Sequence, residues 1–157
     1  MNALTRAWNW TRSRLYRRVA DAHRHFGNQY ANQMEHWAAV ENYTRAILLD
    51  PGYALCYYSR GILYWREIGN YYRAIQDLTR ALELSPSFPQ AYFNRGMAHK
   101  LRNEPAKALA DFDRYLAVGS DEFWLDAARR QIAELQDTAQ GPPLTEATDS
   151  PTPSGDD

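Results

Sequence analysis

One spacing constrains this sequence more than any other feature: a set of landmark residues returns every 34 or 35 positions. Gly27, Gly61 and Gly96 stand 34 and 35 residues apart. Other landmarks keep the same period in the same order: Ala39, Ala74 and Ala108; Tyr43, Leu78 and Phe112; Ala46, Ala81 and Tyr115; Pro51, Pro86 and Ser120. A period of this length predicts a solenoid of stacked helical hairpins.

Each unit has the pattern of two helices joined by a tight turn, and the middle unit shows it most clearly. Tyr57 and Tyr64 share one aromatic face of the first helix, because they fall at helical spacing. Gly69 then favours the end of that helix, and Asn70 is a good cap for the next one. Pro86 ends the second helix, since proline lacks the backbone donor and disfavours helix at the residue before it. The resulting hairpin is too apolar on one side to stand alone.

The middle unit resembles the tetratricopeptide repeat. The resemblance is carried by Tyr57-x2-Arg60-Gly61-x2-Tyr64, Ala74-x3-Leu78-x2-Ala81 and Pro86, and the units that begin near residues 20 and 89 are similar to it. It implies an all-α fold, an α-solenoid of antiparallel helix pairs with about seven helices. His23, Tyr115 and Ser120 depart from the family's pattern, and the middle unit has one extra residue in its inner turn. Edge repeats are commonly atypical, so these departures leave the fold expectation in place.

The pattern divides the chain into segments. We expect a basic, Trp-containing helix over 1–19, repeats over 20–53, 54–88 and 89–122, a capping helix over 121–137 and an acidic tail over 138–157. The repeat helices are expected at about 20–33, 37–49, 54–67, 71–84, 89–101 and 105–117. Ser120 is the predicted N-cap of the capping helix. The tail is rich in Pro, Thr, Ser and Asp and has little to bury, so disorder is predicted there.

The first helix allows more than one interpretation. Residues 1–18 contain five arginines and no acidic residue. One stripe of this helix is formed by Leu4, Trp8, Thr11, Leu15 and Val19. The helix either runs on into the first repeat or breaks near Asp21, and it either packs on that repeat or stays disordered. The other interpretation is docking on an anionic membrane surface, on nucleic acid or on an acidic partner, and Trp10 and Tyr16, which lie off the stripe, favour a further contact.

Composition narrows the cellular context. The 157 residues carry a net charge of −1 and a single cysteine, Cys56, which excludes an internal disulfide and suits a reducing compartment. The sequence has no apolar run long enough for a membrane span and no segment typical of a signal peptide. We therefore expect a cytoplasmic protein.

No pattern of catalytic or metal-binding residues stands out. The four histidines are scattered, and Gly-rich phosphate loops and paired metal motifs are absent from the sequence. Cys56 has no evident neighbouring base and is expected to be a small buried residue. We predict a non-enzymatic protein without catalytic residues, metal or cofactor.

The resemblance implies a concave groove, lined by the first helix of each repeat, that binds peptides. The groove positions carried over to this sequence include Arg24, Asn28, Tyr58, Ile62, Trp65, Arg66, Phe93, Asn94, Met97 and Lys100. The middle set steps along one helix beside its buried stripe and is apolar, which is typical of a contact surface. The expected partner is another protein or a peptide segment, which makes the chain an adaptor or scaffold. Two alternatives stay open: the chain's own helices fill the groove, or the chain associates with itself.

Some family members hold an acidic C-terminus with a clamp of basic and Asn residues. Arg24 and Asn28 match this clamp, whereas Ser59, Gln90 and Asn94 do not. We therefore expect no binding of a chaperone tail. The apolar centre instead suggests a ligand with a hydrophobic anchor, flanked by acidic groups that reach Arg24, Arg66 or Lys100.

Overall fold

The computed structural model describes residues 2–140 and consists, over that range, of α-helices without any strand. The seven helices are α1 (Ala3–Tyr30), α2 (Gln33–Leu49), α3 (Ala54–Arg66), α4 (Tyr71–Leu84), α5 (Pro89–Leu101), α6 (Pro105–Val118) and α7 (Glu122–Gln140). Each helix packs on the next one in the chain, and α3 also contacts α5. The molecule is thus the expected all-α solenoid of helix pairs, with α7 added after the third pair.

The first helix is continuous, which decides between the two possibilities that the sequence left open. α1 begins after Asn2, whose side chain accepts a hydrogen bond from the Thr5 amide, and ends at Tyr30 before Ala31 in the left-handed region. Its 28 residues correspond to about 42 Å of helix, whereas α3 and α5 have 13 residues each. The segment over 1–19 is therefore no separate element. Trp10 and Tyr16 contact this chain: Trp10 stacks on Arg14, and Tyr16 packs against the core.

Three predicted boundaries need correction. α2 begins at Gln33 instead of residue 37, because the Asn32 side chain caps it by accepting from the Met34 amide. Ser120 is not the cap of α7: the carboxylate of Asp121 accepts from the Trp124 amide, at 3.3 Å. Residues 138–140 belong to α7 instead of the tail. The remainder of the predicted disordered tail, 141–157, lies outside the described residues.

The inner turn of the middle repeat forms as the sequence predicts. Gly69 adopts a positive φ of 74°, which a side chain would strain. The Asn70 side chain then accepts from the Arg73 amide and caps α4. This turn spans the four residues between α3 and α4, against three between α5 and α6, which accounts for the extra residue.

The repeat landmarks form the contacts inside each hairpin. Fully buried side chains on the second helices include Ala39, Ala74, Ala108, Tyr43, Leu78 and Phe112. The glycines lie opposite them: a Cβ atom added to Gly61 would stand 2.9 Å from Leu78, and one added to Gly96 would stand 2.9 Å from Phe112. In the first repeat the neighbour is different, since a Cβ at Gly27 would overlap with the His36 ring. The glycines recur because the two helices of each hairpin approach too closely for a side chain.

A half-buried arginine links the second repeat to the first. Arg60 donates from Nε and Nη2 to the two carboxylate oxygens of Asp77, at 2.7 and 2.8 Å. Its Nη1 donates to Oγ1 of Thr44 on α2, at 2.7 Å. Burial raises the pKa of Asp77, and the guanidinium of Arg60 opposes that rise. The arginine therefore neutralises an acid of its own repeat and bonds to the repeat before it.

The third repeat contains the same arrangement. Arg95 donates to both oxygens of Asp111, at 2.9 and 2.6 Å, and to Oγ1 of Thr79 on α4, at 3.1 Å. We call these two linked sets the arginine ladder. The first repeat has Phe26 and Asn42 at the corresponding positions, directly before Gly27 and three residues after Ala39. The arginine ladder thus begins at the second repeat, where a preceding repeat supplies the threonine that accepts a hydrogen bond from the arginine.

Within residues 2–140, no helix combines the length and the apolar character that crossing a membrane requires.

Candidate functional site

The predicted groove residues lie on the first helices of the three repeats. Arg24 and Asn28 belong to α1, Tyr58, Ile62, Trp65 and Arg66 to α3, and Phe93, Asn94, Met97 and Lys100 to α5. Because α3 contacts α5 directly, residues of these two helices meet along one line. The structure brings part of the predicted set together around Tyr58 and places the rest elsewhere.

Tyr58 lies at the centre of the predicted groove residues on α3 and α5. Its hydroxyl oxygen accepts a hydrogen bond from Nδ2 of Asn94 at 3.3 Å, and its ring lies 4.4 Å from that of Phe88. Burial raises the pKa of Tyr58, and the positive charges of Arg24 and Arg66 partly offset this rise. Two cations from two different helices therefore act on the same hydroxyl group.

The two arginines lack an acidic partner. Arg24 and Arg66 form no salt bridge within residues 2–140, unlike most basic residues of the repeats. The Nε atom of Arg24 is buried without a hydrogen-bond partner, and so is Nε1 of Trp65. The Arg66 guanidinium stacks 5.6 Å from the Trp65 ring. Buried donors of this kind are costly unless something accepts their hydrogen bonds, so the centre offers binding capacity for an acceptor.

The apolar side chains of the centre are less exposed than the sequence suggested. Tyr58 and Trp65 are half-buried and pack against a buried cluster formed by Leu78, Leu82 and Ala91. Ile62 is also half-buried. This side of α3 is apolar because it faces α4 and α5, so apolar packing explains part of the pattern that indicated a contact surface.

Phe93, Met97 and Lys100 lie against α7. The Phe93 ring contacts those of Phe112, Tyr115 and Trp124, with centroids 5.5, 5.5 and 5.1 Å apart. Met97 packs on the same cluster.

The Lys100 ammonium donates to Oε1 of Gln131 at 2.8 Å and pairs with Glu134 at 2.6 Å. α7 thus covers Phe93, Met97 and Lys100, three of the predicted groove residues of the third repeat. This arrangement corresponds, at the C-terminal end, to the alternative in which one of the chain's own helices fills the groove.

Asn28 serves a local contact. Its side-chain oxygen lies 3.0 Å from Nε2 of His36, the residue whose ring covers Gly27. Asn28 is exposed, but its carbonyl group is oriented toward α2 by this bond. It therefore joins the first hairpin more than it joins the centre around Tyr58.

Two parts of the candidate site are not predicted from the sequence: Phe88 and the groups on α7 that bind Lys100. Phe88, directly before Pro89 and α5, stacks on Tyr58, and an aromatic residue just ahead of a proline-initiated helix is a signal that could have identified it. The acceptors that α7 offers to Lys100 carried no signal, because they depend on how α7 packs. Within residues 2–140 no group of three His, Cys, Asp or Glu side chains is arranged to hold a metal ion.

The structure also shows how the residues at the positions of the carboxylate clamp are placed. Ser59 is buried and Gln90 is exposed, while Asn94 is bonded to Tyr58 and to the Gln90 carbonyl. The arrangement therefore differs from a clamp in which the second and third repeats supply amide and basic groups. In this chain the cations, Arg24 and Arg66, come from α1 and from the end of α3.

Comparison with known proteins agrees with this architecture. A family model described as TPR repeat matches residues 66–101. None of the curated proteins matches the sequence significantly.

Solved structures match along most of the chain. The TPR domain of OM64 from Arabidopsis is 25% identical, covering 82% of this chain and 98% of that one, with a TM-score of 0.69. The second TPR domain of human RPAP3, in complex with an HSP70 peptide, is 25% identical over 79% of this chain and 98% of that one, with a TM-score of 0.62.

The first TPR of Spaghetti (RPAP3), bound to an HSP90 peptide, is 23% identical over 80% of this chain and 96% of that one, with a TM-score of 0.66. The helix order, the glycine contacts at the predicted period, the family model and these structures point the same way. Residues 66–101 match the tetratricopeptide-repeat family, and the chain has the fold of a tetratricopeptide-repeat domain.

Proposed function

We propose that the protein is a non-enzymatic adaptor that binds a peptide segment of another protein across the centre of its groove. Similar domains occur in complex with HSP70 and HSP90 peptides. In this chain the observation that carries the proposal is the pair Arg24 and Arg66, two cations without a salt bridge in residues 2–140, one of which has a buried Nε atom without a hydrogen-bond partner. Their charges also oppose the burial-induced rise in the pKa of Tyr58.

The chemistry of the centre defines the ligand. A carboxylate can accept charge-assisted hydrogen bonds from guanidinium groups, which are about twice as strong as neutral ones. The indole N–H of Trp65 and the amide of Asn94 add neutral donors for peptide carbonyl groups. The half-buried rings of Tyr58 and Trp65 provide a limited apolar surface beside them. We expect a peptide that places an Asp, a Glu or a terminal carboxylate next to an apolar side chain.

The ligand differs from a chaperone tail in this proposal. Binding such a tail through the clamp needs an amide at the position of Ser59 and basic groups at those of Gln90 and Asn94. This chain has none of these. The peptides bound by the similar structures are therefore comparison ligands and not the expected partner.

Peptide display with a free C-terminus, followed by affinity measurement on the enriched sequences, tests the proposal. Arg24→Gln and Arg66→Gln should each weaken binding about tenfold or more, since each removes a charge-assisted contact. The matched control is Arg130→Gln, an exposed arginine of α7. Tyr58→Phe keeps the ring contact with Phe88 and removes only the hydroxyl group, so a smaller loss is expected.

The result that would overturn the proposal is enrichment of peptides that bind the Arg24→Gln, Arg66→Gln double variant as tightly as the original chain. A display experiment that enriches no peptide above the background of the double variant has the same consequence. Alanine at Phe93 is unsuitable for this test, because Phe93 packs under α7 and its loss would disturb the fold.

A further inference from the structure

The outer face of α1 carries a long exposed apolar stripe. Leu4, Leu15 and Phe26 are eleven residues apart, and so are Trp8, Val19 and Tyr30. All six are exposed, from 38% for Val19 to 81% for Leu4. Eleven residues make about three helical turns, so the stripe runs almost straight along α1. We call these six residues the α1 stripe.

The α1 stripe lies away from the other helices of residues 2–140. The buried residues of α1 are Ser13, Ala20 and Gly27, which face α2. Leu15 and Ala20 are five residues apart, which places them roughly 140° apart around the helix. The helix is therefore apolar on two sides, and only one of them is packed.

The position of Phe26 explains why this face is uncovered. Arg60 and Arg95 occupy the corresponding positions of the later repeats, where they contact the preceding repeat through Thr44 and Thr79. α1 begins the first repeat, so nothing in residues 2–140 lies beyond it. The face that joins repeats inside the array is here an outer surface.

The charges beside the α1 stripe are positive. Arg12 and Arg18 are exposed and form no ion pair within residues 2–140. The only acidic residue of α1 is Asp21, which is bound by Arg17 and by the Tyr43 hydroxyl. Nothing on this helix neutralises the exposed arginines.

A depression opens beside the stripe on its basic flank. It is lined by Trp10, Thr11, Arg14, Leu15, Arg17 and Arg18, with a volume of about 450 Å³. The Nε atom of Arg17 is buried there without a hydrogen-bond partner. Arginine side chains around a shallow depression suit a phosphate or carboxylate headgroup.

We propose that the outer face of α1 is a docking surface for an anionic lipid bilayer. An apolar stripe with tryptophan, flanked by arginine and free of unpaired acid, is the composition of a helix that lies in the membrane interface. The leucine, tryptophan and phenylalanine side chains enter the headgroup and acyl boundary, and Arg12 and Arg18 bind anionic headgroups. A second copy of the chain fits less well, because pairing two α1 helices would bring unpaired arginines together.

Flotation of the full chain with vesicles tests this surface. The vesicles are phosphatidylcholine alone or phosphatidylcholine with about 30% phosphatidylserine, at about 0.15 M salt. We expect binding to the anionic vesicles only. The Leu4→Gln, Trp8→Gln, Leu15→Gln variant should bind at least about tenfold more weakly. Arg12→Gln and Arg18→Gln should each cost about fivefold.

Matched controls separate the stripe from general surface effects. Phe123→Gln and Arg130→Gln change exposed residues of the same types on α7 and should leave binding intact. The groove variant Arg24→Gln, Arg66→Gln should also float with anionic vesicles, so failure of the peptide site and failure of the membrane site are distinguishable. Circular dichroism and the melting temperature verify that each variant is folded.

Three results would overturn the proposal. The first is the absence of binding to anionic vesicles, and the second is equal binding by the stripe variant and the original chain. The third is a dimer in sedimentation velocity that disappears with the stripe variant while vesicles are not bound, since a second copy would then be the occupant of this face.

Discussion

The two ends of the solenoid are closed in different ways. At the C-terminal end, α7 covers α6 and part of α5, and its residues Ala128 and Leu135 are buried in the contact. At the N-terminal end, α1 buries only the face toward its own repeat, and Leu4 on the opposite face is 81% exposed. A stack of hairpins always presents two terminal faces. In the described residues the chain covers only one of them.

This difference assigns different roles to similar residues. Trp124 on α7 contacts Phe93 and thereby completes the third repeat. Trp8 on α1 has no such contact and is 63% exposed. Trp124 thus contributes to the packing of the third repeat, whereas the aromatic residues of the α1 stripe are exposed. Four experiments test this contrast, and their expected effects decrease in the order given.

Placing a charge on each terminal helix is the most direct comparison. Ala128→Asp introduces an unpaired carboxylate at a fully buried site and should lower the free energy of unfolding by about 3–5 kcal/mol. Leu15→Asp places the same group on the α1 stripe and should change it by less than about 0.5 kcal/mol. Urea unfolding of both variants measures the difference. Equal losses would show that the α1 stripe is packed in solution.

Cys56 reports whether α1 stays docked. Its thiol is buried in the cluster that includes Ala20 of α1, and burial raises its pKa to about 12. Compared with a thiol at the ordinary value of 9.0, about a thousandfold less thiolate is then present at pH 8. The rate of reaction with a disulfide reagent should fall by at least that factor relative to the denatured chain.

The sign of the associated pH effect also follows from this pKa. Because the folded state keeps the thiol neutral, the stability that Cys56 contributes is intact below pH 9. It is lost as the pH rises toward 12. Rapid labelling of the native protein at pH 8 would show that α1 separates readily from α3. The two ends would then differ in how firmly their terminal helices are packed, as well as in the exposure of their outer faces.

Breaking the arginine ladder tests how much its charge pair, which the first repeat lacks, contributes to the stability of the inner repeats. Arg60→Met leaves the buried Asp77 without its cation and should cost about 3 kcal/mol at pH 7. The loss should be smaller at pH 4, because the raised pKa of the unpaired acid then allows it to bind a proton.

The matching control copies the first repeat. The double variant Arg60→Phe, Asp77→Asn installs the residues found at Phe26 and Asn42 and leaves no buried charge. It should regain at least half of the stability that Arg60→Met loses, as measured by urea unfolding. A double variant as unstable as the single one would mean that the bond to Thr44, and not the charge pair, carries the effect.

The smallest expected effect concerns the link between α5 and α7. Lys100→Ala removes the pair with Glu134, whose side chain is largely exposed. Such pairs contribute about 0.2–1 kcal/mol, so the melting temperature should fall by no more than about 4 °C. Calorimetry in low and high salt checks this, because the difference between the two chains should shrink as salt is added. A larger loss would mean that α7 depends on Lys100 more than on its apolar contacts.

The sequence was sufficient to predict the fold because the period and the helix-ending residues are local properties. Asn70 and Gly69 identify a turn without any knowledge of the neighbours. The start of α2 was misplaced because Asn32, an equally good cap, lies within the region that the repeat pattern assigned to the first helix. Ser120 and Asp121 are adjacent candidates, and only the backbone geometry decides that the carboxylate caps α7.

The candidate site was harder to predict because its residues interact across helices. Phe93 occupies a groove position in the repeat pattern, yet its contacts are set by α7, which belongs to no repeat. Aromatic residues such as Tyr58 and Trp65 occur both in binding surfaces and in contacts between helices, so the sequence pattern does not distinguish the two. Arg24 and Arg66 remain the predicted groove residues on which the proposal depends, because neither forms a salt bridge within residues 2–140 and both charges influence the pKa of Tyr58.

The arginine ladder has a consequence for how the molecule unfolds. Each ladder arginine makes bonds in two hairpins at once, so melting one hairpin deprives its neighbour of hydrogen bonds as well as of apolar contact. In a linear array, stability is the sum of each unit's own contribution and of the coupling between adjacent units. Strong coupling of this kind favours a single concerted transition over stepwise fraying. It also makes the surface between the hairpins rigid, which lowers the entropic cost of binding for the proposed peptide ligand.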